Sequence, residues 1–203
     1  SLTWEQEHVP AILECWYPGE KGGRAVAEVL FGKTAPSGRL PMSFPKSVGQ
    51  VPCNYNRMPG GGRRYVETDW NPLYPFGYGL SYTTFALDNE AVDAEMGWVT
   101  ATVENTGDRD GETVVQVYVQ DVDTKWETLH PHLAGFARVA LKAGEKRQIA
   151  VPLDKNAFTV VNDAGERVAD GKVFDVYCGL YQPDERSAEL TGQTPVKMTI
   201  RFE

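Results

Sequence analysis

YPFGYGLSYTTF, residues 74–85, holds five aromatic residues and two glycines within twelve positions. It separates an N-terminal part with helix-like and irregular patterns from a C-terminal part with strand-like alternation. Three interpretations are open: a binding platform, part of an active site, or a structural hinge between two unlike halves. The aromatic content alone favours the platform, because large rings supply much contact area at a modest entropic cost.

Downstream of this stretch the chain reads as β-structure. Apolar residues at positions 99, 101 and 103 alternate with other side chains, and the same period recurs in four later segments. These segments are 115–119, 149–153, 174–178 and 196–202, with turn sequences such as NTGDRDGE, LKAGEK, NDAGE and ADGK between them. About seven short strands predict an immunoglobulin-like sandwich. The Cys…Trp…Cys spacing of antibody domains is absent, which favours a fibronectin type III-like variant.

Upstream, residues 11–44 have the pattern of an α/β layer. Val26, Val29 and Leu30 form one apolar stripe at helical spacing, and Gly32 follows where a left-handed cap is favourable. AILECWY, residues 11–17, and the alternating residues 39–44 are strand-like, with Pro41 restricting the second to a short or edge strand. About 45 residues are too few for such a domain to stand alone, so we expect them to close a larger one.

Residues 49–80 have no sustained period and are rich in Pro, Gly and Asn. A connection of this length is functional, a linker, or ordered on a neighbouring surface. Its many aromatic residues argue against disorder. We therefore predict an ordered strap that lies across another domain. The predicted fold class is mainly β: a fibronectin type III or immunoglobulin-like β-sandwich, preceded by an α/β segment and an ordered linker.

Composition excludes several functions. The net charge of −8 argues against nucleic acid, whose affinity depends on basic phosphate contacts. No apolar run approaches the roughly 18 residues of a membrane helix, so no membrane partner is expected. The three cysteines are widely spaced, fit no Cys/His metal pattern and are interpreted as free thiols. We predict neither a metal nor an organic cofactor.

Candidate catalytic groups receive structural interpretations. Asp108 and Asp110 lie in a turn sequence, where Asp bonds its own backbone. Glu14 and Glu20 flank Trp16-Tyr17, and a solvated or capping role is favoured over a place in a cleft. The GGGRR sequence at 60–64 lacks the Walker spacing and reads as a loop tip. The histidines have no ligand pattern or GxSxG elbow nearby and read as surface residues; they are His8, His130 and His132.

The strap contains the candidates for sugar binding. Aromatic rings pack on the C–H faces of sugars, and neighbouring Asn and Arg side chains can donate hydrogen bonds to sugar hydroxyls. If the strap lines a cleft, Tyr55, Arg57 and Arg64 are the predicted sugar contacts. Plain packing between domains is the competing interpretation of the aromatic residues, and it is favoured.

Four long motifs together resemble the C-terminal part of glycoside hydrolase family 3, which includes bacterial β-glucosidases and β-xylosidases. They occupy residues 11–52, 72–85, 103–119 and 133–153, in family order. The resemblance implies that residues 1–48 end the α/β sandwich domain of that family, 49–80 form the connecting strap, and 81–203 form a fibronectin type III-like domain. It also implies that YPFGYGLSYTTF is the hinge where the sandwich begins.

The family is a retaining one, with an Asp nucleophile on an N-terminal (β/α)8 barrel and a Glu acid/base upstream of the Trp-Tyr-Pro-Gly segment. About 48 residues of α/β pattern cannot supply that barrel. Glu14 and Glu20 lie too late in the motif order to match the acid/base. We therefore assign no catalytic residue to this chain. The expected partners are the barrel and the rest of the α/β sandwich domain, and the substrate of the parent enzyme is a β-linked oligosaccharide or glycoside.

Three forms of the protein remain open. The chain is expected to be the C-terminal structural part of a retaining β-glycosidase acting on terminal, non-reducing β-D-glucosyl or β-D-xylosyl residues, present as a fragment or a processed piece. It is alternatively one polypeptide of a split enzyme, with the barrel in another chain. A third interpretation is a stand-alone carbohydrate-binding or assembly module, with Trp98 and Trp126 as candidate platform residues. The compartment is open between the cytoplasm and the periplasm or exterior of a bacterium.

Overall fold

The structure is a computed structural model that describes residues 1–57, 69, 71–126 and 128–202. Its helices are α1 (Thr3–His8), α2 (Gly22–Leu30) and α3 (Glu185–Thr191), with a 3-10 turn at Val48–Gln50. Its strands are β1 (Phe85–Asp93), β2 (Trp98–Asn105), β3 (Gly111–Asp121), β4 (His132–Leu141), β5 (Lys146–Pro152), β6 (Val160–Val161), β7 (Arg167–Val168), β8 (Val173–Gly179) and β9 (Val196–Arg201). None of the helices described is long and apolar enough to cross a membrane.

The strands form a two-sheet antiparallel sandwich, which confirms the predicted fold class. One sheet has the order β1-β2-β5 and the other the order β4-β3-β8-β9, while β6 and β7 form a separate hairpin. The alternation read from the sequence places one set of side chains between the sheets. The fully buried members of that set include Val99, Val103, Val115, Val117, Val119, Val151 and Val176.

Three phenylalanines close one part of this core. The ring of Phe174 on β8 lies 5.2 Å from that of Phe158 and 5.6 Å from that of Phe202, measured between centroids, and both pairs meet edge to face. Phe158 and Phe202 are also 5.2 Å apart. Edge-to-face geometry adds attraction between the rings beyond the area they bury. Phe174 itself is 1% exposed, so this cluster is a central part of the core.

Strand β3 is buried on both of its faces. Val115, Val117 and Val119 point between the sheets, as their period predicts. Gln116 and Tyr118 alternate with them and point outwards, yet they are 3% and 0% exposed. The outer face of a sandwich sheet is normally solvated. Here the strap covers it.

In the N-terminal part, the structure contains the helix predicted from the sequence but not the two predicted strands. Helix α2 includes the predicted apolar stripe, and Gly32 has the left-handed φ of +71° that was expected after it. Residues 11–17 form no strand, and residues 39–44 form only one bridge, between Phe44 and Tyr74. Both strand predictions were therefore wrong for this chain. A strand needs neighbours to satisfy its backbone, and no neighbouring α/β strand is present among the described residues.

Residues 40–44 instead run beside the end of the strap. Leu40 N–H donates to Tyr78 O at 2.9 Å, and Gly77 N–H donates to Leu40 O at 2.8 Å. Phe44 exchanges bonds with the strap in the same way, at 2.8 Å to Tyr74 O and 2.7 Å from Leu73 N–H. The two segments hold each other against the sandwich, although neither belongs to its sheets.

Candidate functional site

The predicted sugar contact Tyr55 lies at the interface between the strap and the sandwich. Its ring stacks on Phe76 with centroids 4.3 Å apart and meets Tyr118 of β3 edge to face at 6.3 Å. Its hydroxyl accepts a hydrogen bond from Leu133 N–H at 3.1 Å. These contacts give Tyr55 a packing role. A role in sugar binding remains a prediction. The Tyr55 hydroxyl still has a proton that it can donate to a sugar oxygen.

A buried hydrogen-bond network beneath the strap centres on Gln116. Its amide Nε2 donates to Gly77 O at 3.0 Å and to Leu180 O at 2.9 Å, and its Oε1 accepts from the Tyr118 hydroxyl at 2.6 Å. Burial raises the pKa of Tyr118 far above its ordinary value, so this hydroxyl stays protonated and donates. The network joins the strap, β3 and the residue after β8 at one point.

Arg57 lies at the edge of this interface, next to a polar group of residues. Its backbone oxygen accepts from His130 N–H at 3.0 Å. Burial lowers the pKa of His130, and the charge of Arg57 lowers it further. Burial raises the pKa of Asp184, the N-cap of α3. The hydrogen bonds from Ser187 and the charge of Arg57 lower this pKa, but by less than burial raises it. The three groups therefore lie within electrostatic reach of one another.

The other sugar-contact candidate, Arg64, lies outside the described residues, as does the GGGRR sequence. Lys46 and Gln50, near the start of the strap, contact Asp69 and Asn71, which lie later in it. Lys46 Nζ forms an ion pair with Asp69 at 2.7 Å, and Gln50 Nε2 donates to the backbone oxygens of Asp69 and Asn71 at 3.1 and 3.2 Å. The sugar contacts predicted for Tyr55, Arg57 and Arg64 are tested by none of these observations and stay predictions.

Two of the carboxylates singled out in the sequence, Glu14 and Asp110, accept hydrogen bonds from backbone N–H groups. Glu14 Oε1 accepts from Trp16 N–H at 2.8 Å, which supports the left-handed φ of +49° at Trp16. Asp110 Oδ1 accepts from Ala143 N–H at 3.0 Å. No group of three metal-ligating side chains that could hold an ion occurs among the described residues. All three cysteines are free thiols.

Trp98 and Trp126 do not form a row on one face of the sandwich. Trp98 opens β2 in one sheet, and Trp126 lies in the connection after β3 of the other sheet. Trp98 is 40% exposed, while the Lys125 ammonium lies 5.0 Å from the centre of the Trp126 ring. The platform suggested for a stand-alone binding module is therefore not assembled by these two residues.

The N-terminal segment, residues 1–51, exposes its apolar side chains. Of the twenty large hydrophobic side chains that are exposed among the described residues, eleven lie in this segment, and it contributes none to the buried hydrophobic core. In α2 only Gly22 is buried, and Phe31 directly after the helix is 90% exposed. Tyr17 is fully exposed. An amphipathic helix is stabilised mainly by burying its apolar face, and no surface among the described residues covers Leu30 or Phe31.

Arg39 and Tyr82 nevertheless hold this segment on the sandwich. The Arg39 guanidinium donates to Gly79 O and to Thr113 Oγ1 of β3, the latter at 3.0 Å, and lies 5.3 Å from the centre of the Tyr181 ring. The Tyr82 hydroxyl donates to Val29 O at 2.9 Å. The apolar face of α2 is thus presented in a defined position. Sequence reasoning missed Arg39 and Gln116, because both act through partners far away in the chain, and it also missed Asp184, although its cap bonds to Ser187 are local.

Hydrogen exchange should divide the chain accordingly. We expect the amides of α2 to exchange much faster than those of β3 and β8, because Val26 and Val29 of the helix are only half-buried and Leu30 is exposed. The amides of Leu40 and Gly77 should exchange at intermediate rates, since their bonds depend on the strap. Exchange of the isolated chain followed by NMR or mass spectrometry measures this. Equal protection in α2 and β3 would contradict the absence of a packing partner.

Two family models match the chain. Residues 1–82 match the glycosyl hydrolase family 3 C-terminal domain, and residues 113–181 match the fibronectin type III-like domain. Among curated proteins, the chain is 41% identical over 197 residues to a periplasmic beta-glucosidase of Salmonella typhimurium and 40% identical over 190 residues to a beta-xylosidase of Formosa agariphila. These alignments cover 89% and 88% of this chain but only 26% of each relative. The chain therefore spans about a quarter of their length.

Solved structures of β-glucosidases are similar to this chain as well. A beta-glucosidase from Listeria innocua in complex with gluconolactone superposes with a TM-score of 0.85 at 31% identity, over 98% of this chain and 29% of that one. A β-glucosidase from Erythrobacter marinus superposes with a TM-score of 0.80 at 33% identity, over 96% of this chain and 26% of that one. The sandwich, the strap and the N-terminal segment are all included in the similarity.

Proposed function

The chain belongs to glycoside hydrolase family 3, and we propose that it is the C-terminal structural part of a retaining β-glycosidase. The proposed reaction removes terminal, non-reducing β-D-glucosyl or β-D-xylosyl residues through a covalent glycosyl-enzyme and a second step with water. Relatives named as a beta-glucosidase and a beta-xylosidase support these two sugar classes. No residue of this chain is assigned to the catalytic pair.

The exposed apolar face of residues 1–51 carries this proposal. A soluble protein rarely leaves such residues uncovered unless they bind a partner. We infer that Tyr17, Leu30 and Phe31 pack against the rest of an α/β sandwich domain, in the same polypeptide or in a separate chain. The proposed partners are that portion and the catalytic barrel. The role of this chain is to close the α/β domain and to tie it to the sandwich through the strap.

Contact with the substrate is proposed for the strap. Arg57 and Arg64 would donate hydrogen bonds to sugar hydroxyls, and Tyr55 would add its hydroxyl proton while its ring fixes the strap on Phe76. The domain limits 1–48, 49–80 and 81–203 are part of the same proposal. For the compartment, the name of the Salmonella relative supports the periplasm over the cytoplasm.

The isolated 203-residue chain should not hydrolyse p-nitrophenyl β-glucoside or β-xyloside, because the proposal assigns neither catalytic carboxyl group to it. Near-ultraviolet circular dichroism would show that the sandwich is folded in the same sample. Activity should require the remaining three quarters or so of the enzyme, because this chain spans only about a quarter of the length of its relatives. Intact mass of an active native preparation would show whether that portion is covalently attached.

A matched pair of variants tests the proposed interface. In an active preparation, Phe31→Asp should abolish activity and association, whereas Phe136→Asp, at an exposed position on β4, should preserve both. Turnover by the isolated chain that a single substitution such as Glu14→Gln removes would overturn the proposal. So would an active preparation that contains this chain alone.

A further inference from the structure

A groove opens between the two sheets, on the side where β1 and β9 face each other. Its volume is about 330 Å³, at the small end of the ~300–1,000 Å³ found for ligand sites. The strands on its two sides belong to different sheets and are not hydrogen-bonded to each other. Its walls are residues of β1, the end of β8 and the connection from α3 into β9.

A β-bulge places a carboxylate in this groove. In the pairing of β1 with β2, Asp88 faces Thr102 and Ala91 faces Thr100, so that two residues of β1 oppose one of β2. Asn89 in the bulge has a left-handed φ of +56°. A bulge breaks the strict alternation of side chains and redirects one of them. The result here is that Glu90 joins Leu87 in lining the groove.

The Cys178 thiol lines the same groove as Glu90. Cys178 lies on β8 and is 1% exposed. Its pKa is raised to about 12, mainly by burial and in addition by the charge of Glu90. Glu90 is half-buried and lines the groove together with this thiol.

The groove combines an apolar wall with neutral polar groups. Leu87, Pro195 and Val196 supply apolar surface that is at least partly exposed, and Gln193 and Thr194 supply an amide and a hydroxyl. No Lys, Arg or His is found among its lining residues, all of which lie in the described part of the chain. A phosphate or carboxylate ligand would meet the Glu90 charge without any compensating cation. A neutral ligand with several hydroxyls meets an acceptor, a donor and an apolar surface.

We propose that this groove binds a neutral saccharide of one or two sugar rings, with Glu90 accepting from sugar hydroxyls and Gln193 and Thr194 completing the polar contacts. The site lies on the fibronectin type III-like domain and differs from the strap in every residue. It is a binding site and performs no chemistry. Its affinity should be weak, with a dissociation constant on the order of millimolar, because the groove is small and open on one side.

The test is a titration of the 15N-labelled 203-residue chain with cellobiose and with xylobiose, followed by NMR. Saturable shifts are expected in the amides of Glu90, Gln193, Thr194 and Val196. Glu90→Gln keeps the side-chain length and should weaken binding at least about tenfold, since a hydrogen bond to a charged group is lost. Glu95→Ala, an exposed carboxylate in the β1–β2 turn, is the control and should bind like the unsubstituted chain.

Three results would overturn the proposal: no saturable shifts with either disaccharide, shifts confined to other parts of the chain, or equal affinity in Glu90→Gln and the unsubstituted chain. A response to methylammonium without one to the sugars would also overturn it, because the groove would then be a cation site. The proposed glycosidase role is tested by hydrolysis, so failure in this titration leaves that proposal unaffected.

Discussion

Gln116→Leu should lower the free energy of unfolding by about 3–5 kcal/mol, although leucine fills a similar volume. The substitution removes the amide that donates to Gly77 O and Leu180 O and the oxygen that accepts from the Tyr118 hydroxyl. Each buried polar group left without its partner costs roughly 1–3 kcal/mol. The strap should also loosen, because one of these bonds is its direct link to β3.

Urea denaturation measures the loss of stability, and limited proteolysis within the strap measures the loosening. Gln148→Leu, at an exposed position on β5, is the matched control and should change stability by no more than about 0.5 kcal/mol. If Gln116→Leu were as stable as Gln148→Leu, the hydrogen-bond network would contribute little to holding the strap, and its role would have to be reassigned.

Phe174→Ala should destabilise the sandwich by about 3–5 kcal/mol, the usual cost of deleting a fully buried phenylalanine. The cost includes both the lost apolar burial and the cavity left between Phe158 and Phe202, whose edge-to-face contacts with Phe174 disappear. Neither ring can move far into the gap, because Phe158 and Phe202 also pack on each other.

Thermal or urea unfolding of the isolated chain measures this effect. Phe136→Ala is the control, since that ring is 63% exposed and its removal should cost much less. A similar loss in both variants would mean that the exposed ring is covered in solution by something absent here. A small loss in Phe174→Ala would contradict the closed aromatic cluster.

The sandwich was predictable because its information is local and periodic. A strand with one face in the core repeats its apolar residues every two positions, and the sequences of β2, β3 and β8 show that period. The predicted strands at residues 11–17 and 39–44 were wrong for a related reason. These two segments have the apolar pattern of buried strands. The sheet neighbours that would bury them are not among the described residues.

The candidate site was less predictable. Tyr55 and Arg57 were identified as polar and aromatic residues in an irregular stretch, but their surroundings depend on contacts with residues far along the chain. Leu133, which donates to the Tyr55 hydroxyl, is 78 positions away, and Gln116, which holds Gly77, is 39 positions away. No short-range period encodes such pairs. Gln116 itself lies at an outward position of β3, where the alternation predicts a solvated side chain.

YPFGYGLSYTTF shows which features of this protein the sequence determines and which depend on the tertiary structure. The sequence by itself determined that a sandwich follows this stretch and that the family is glycoside hydrolase family 3. Both the strand period and the order of the motifs can be read directly from the residues. Only the tertiary structure decided what its rings do. Phe76 stacks on Tyr55, which lies earlier in the strap, and the ring of Tyr78 lies 6.3 Å from that of Tyr181 in the sandwich. These partners lie far away in the chain, so no local pattern in the sequence specifies them.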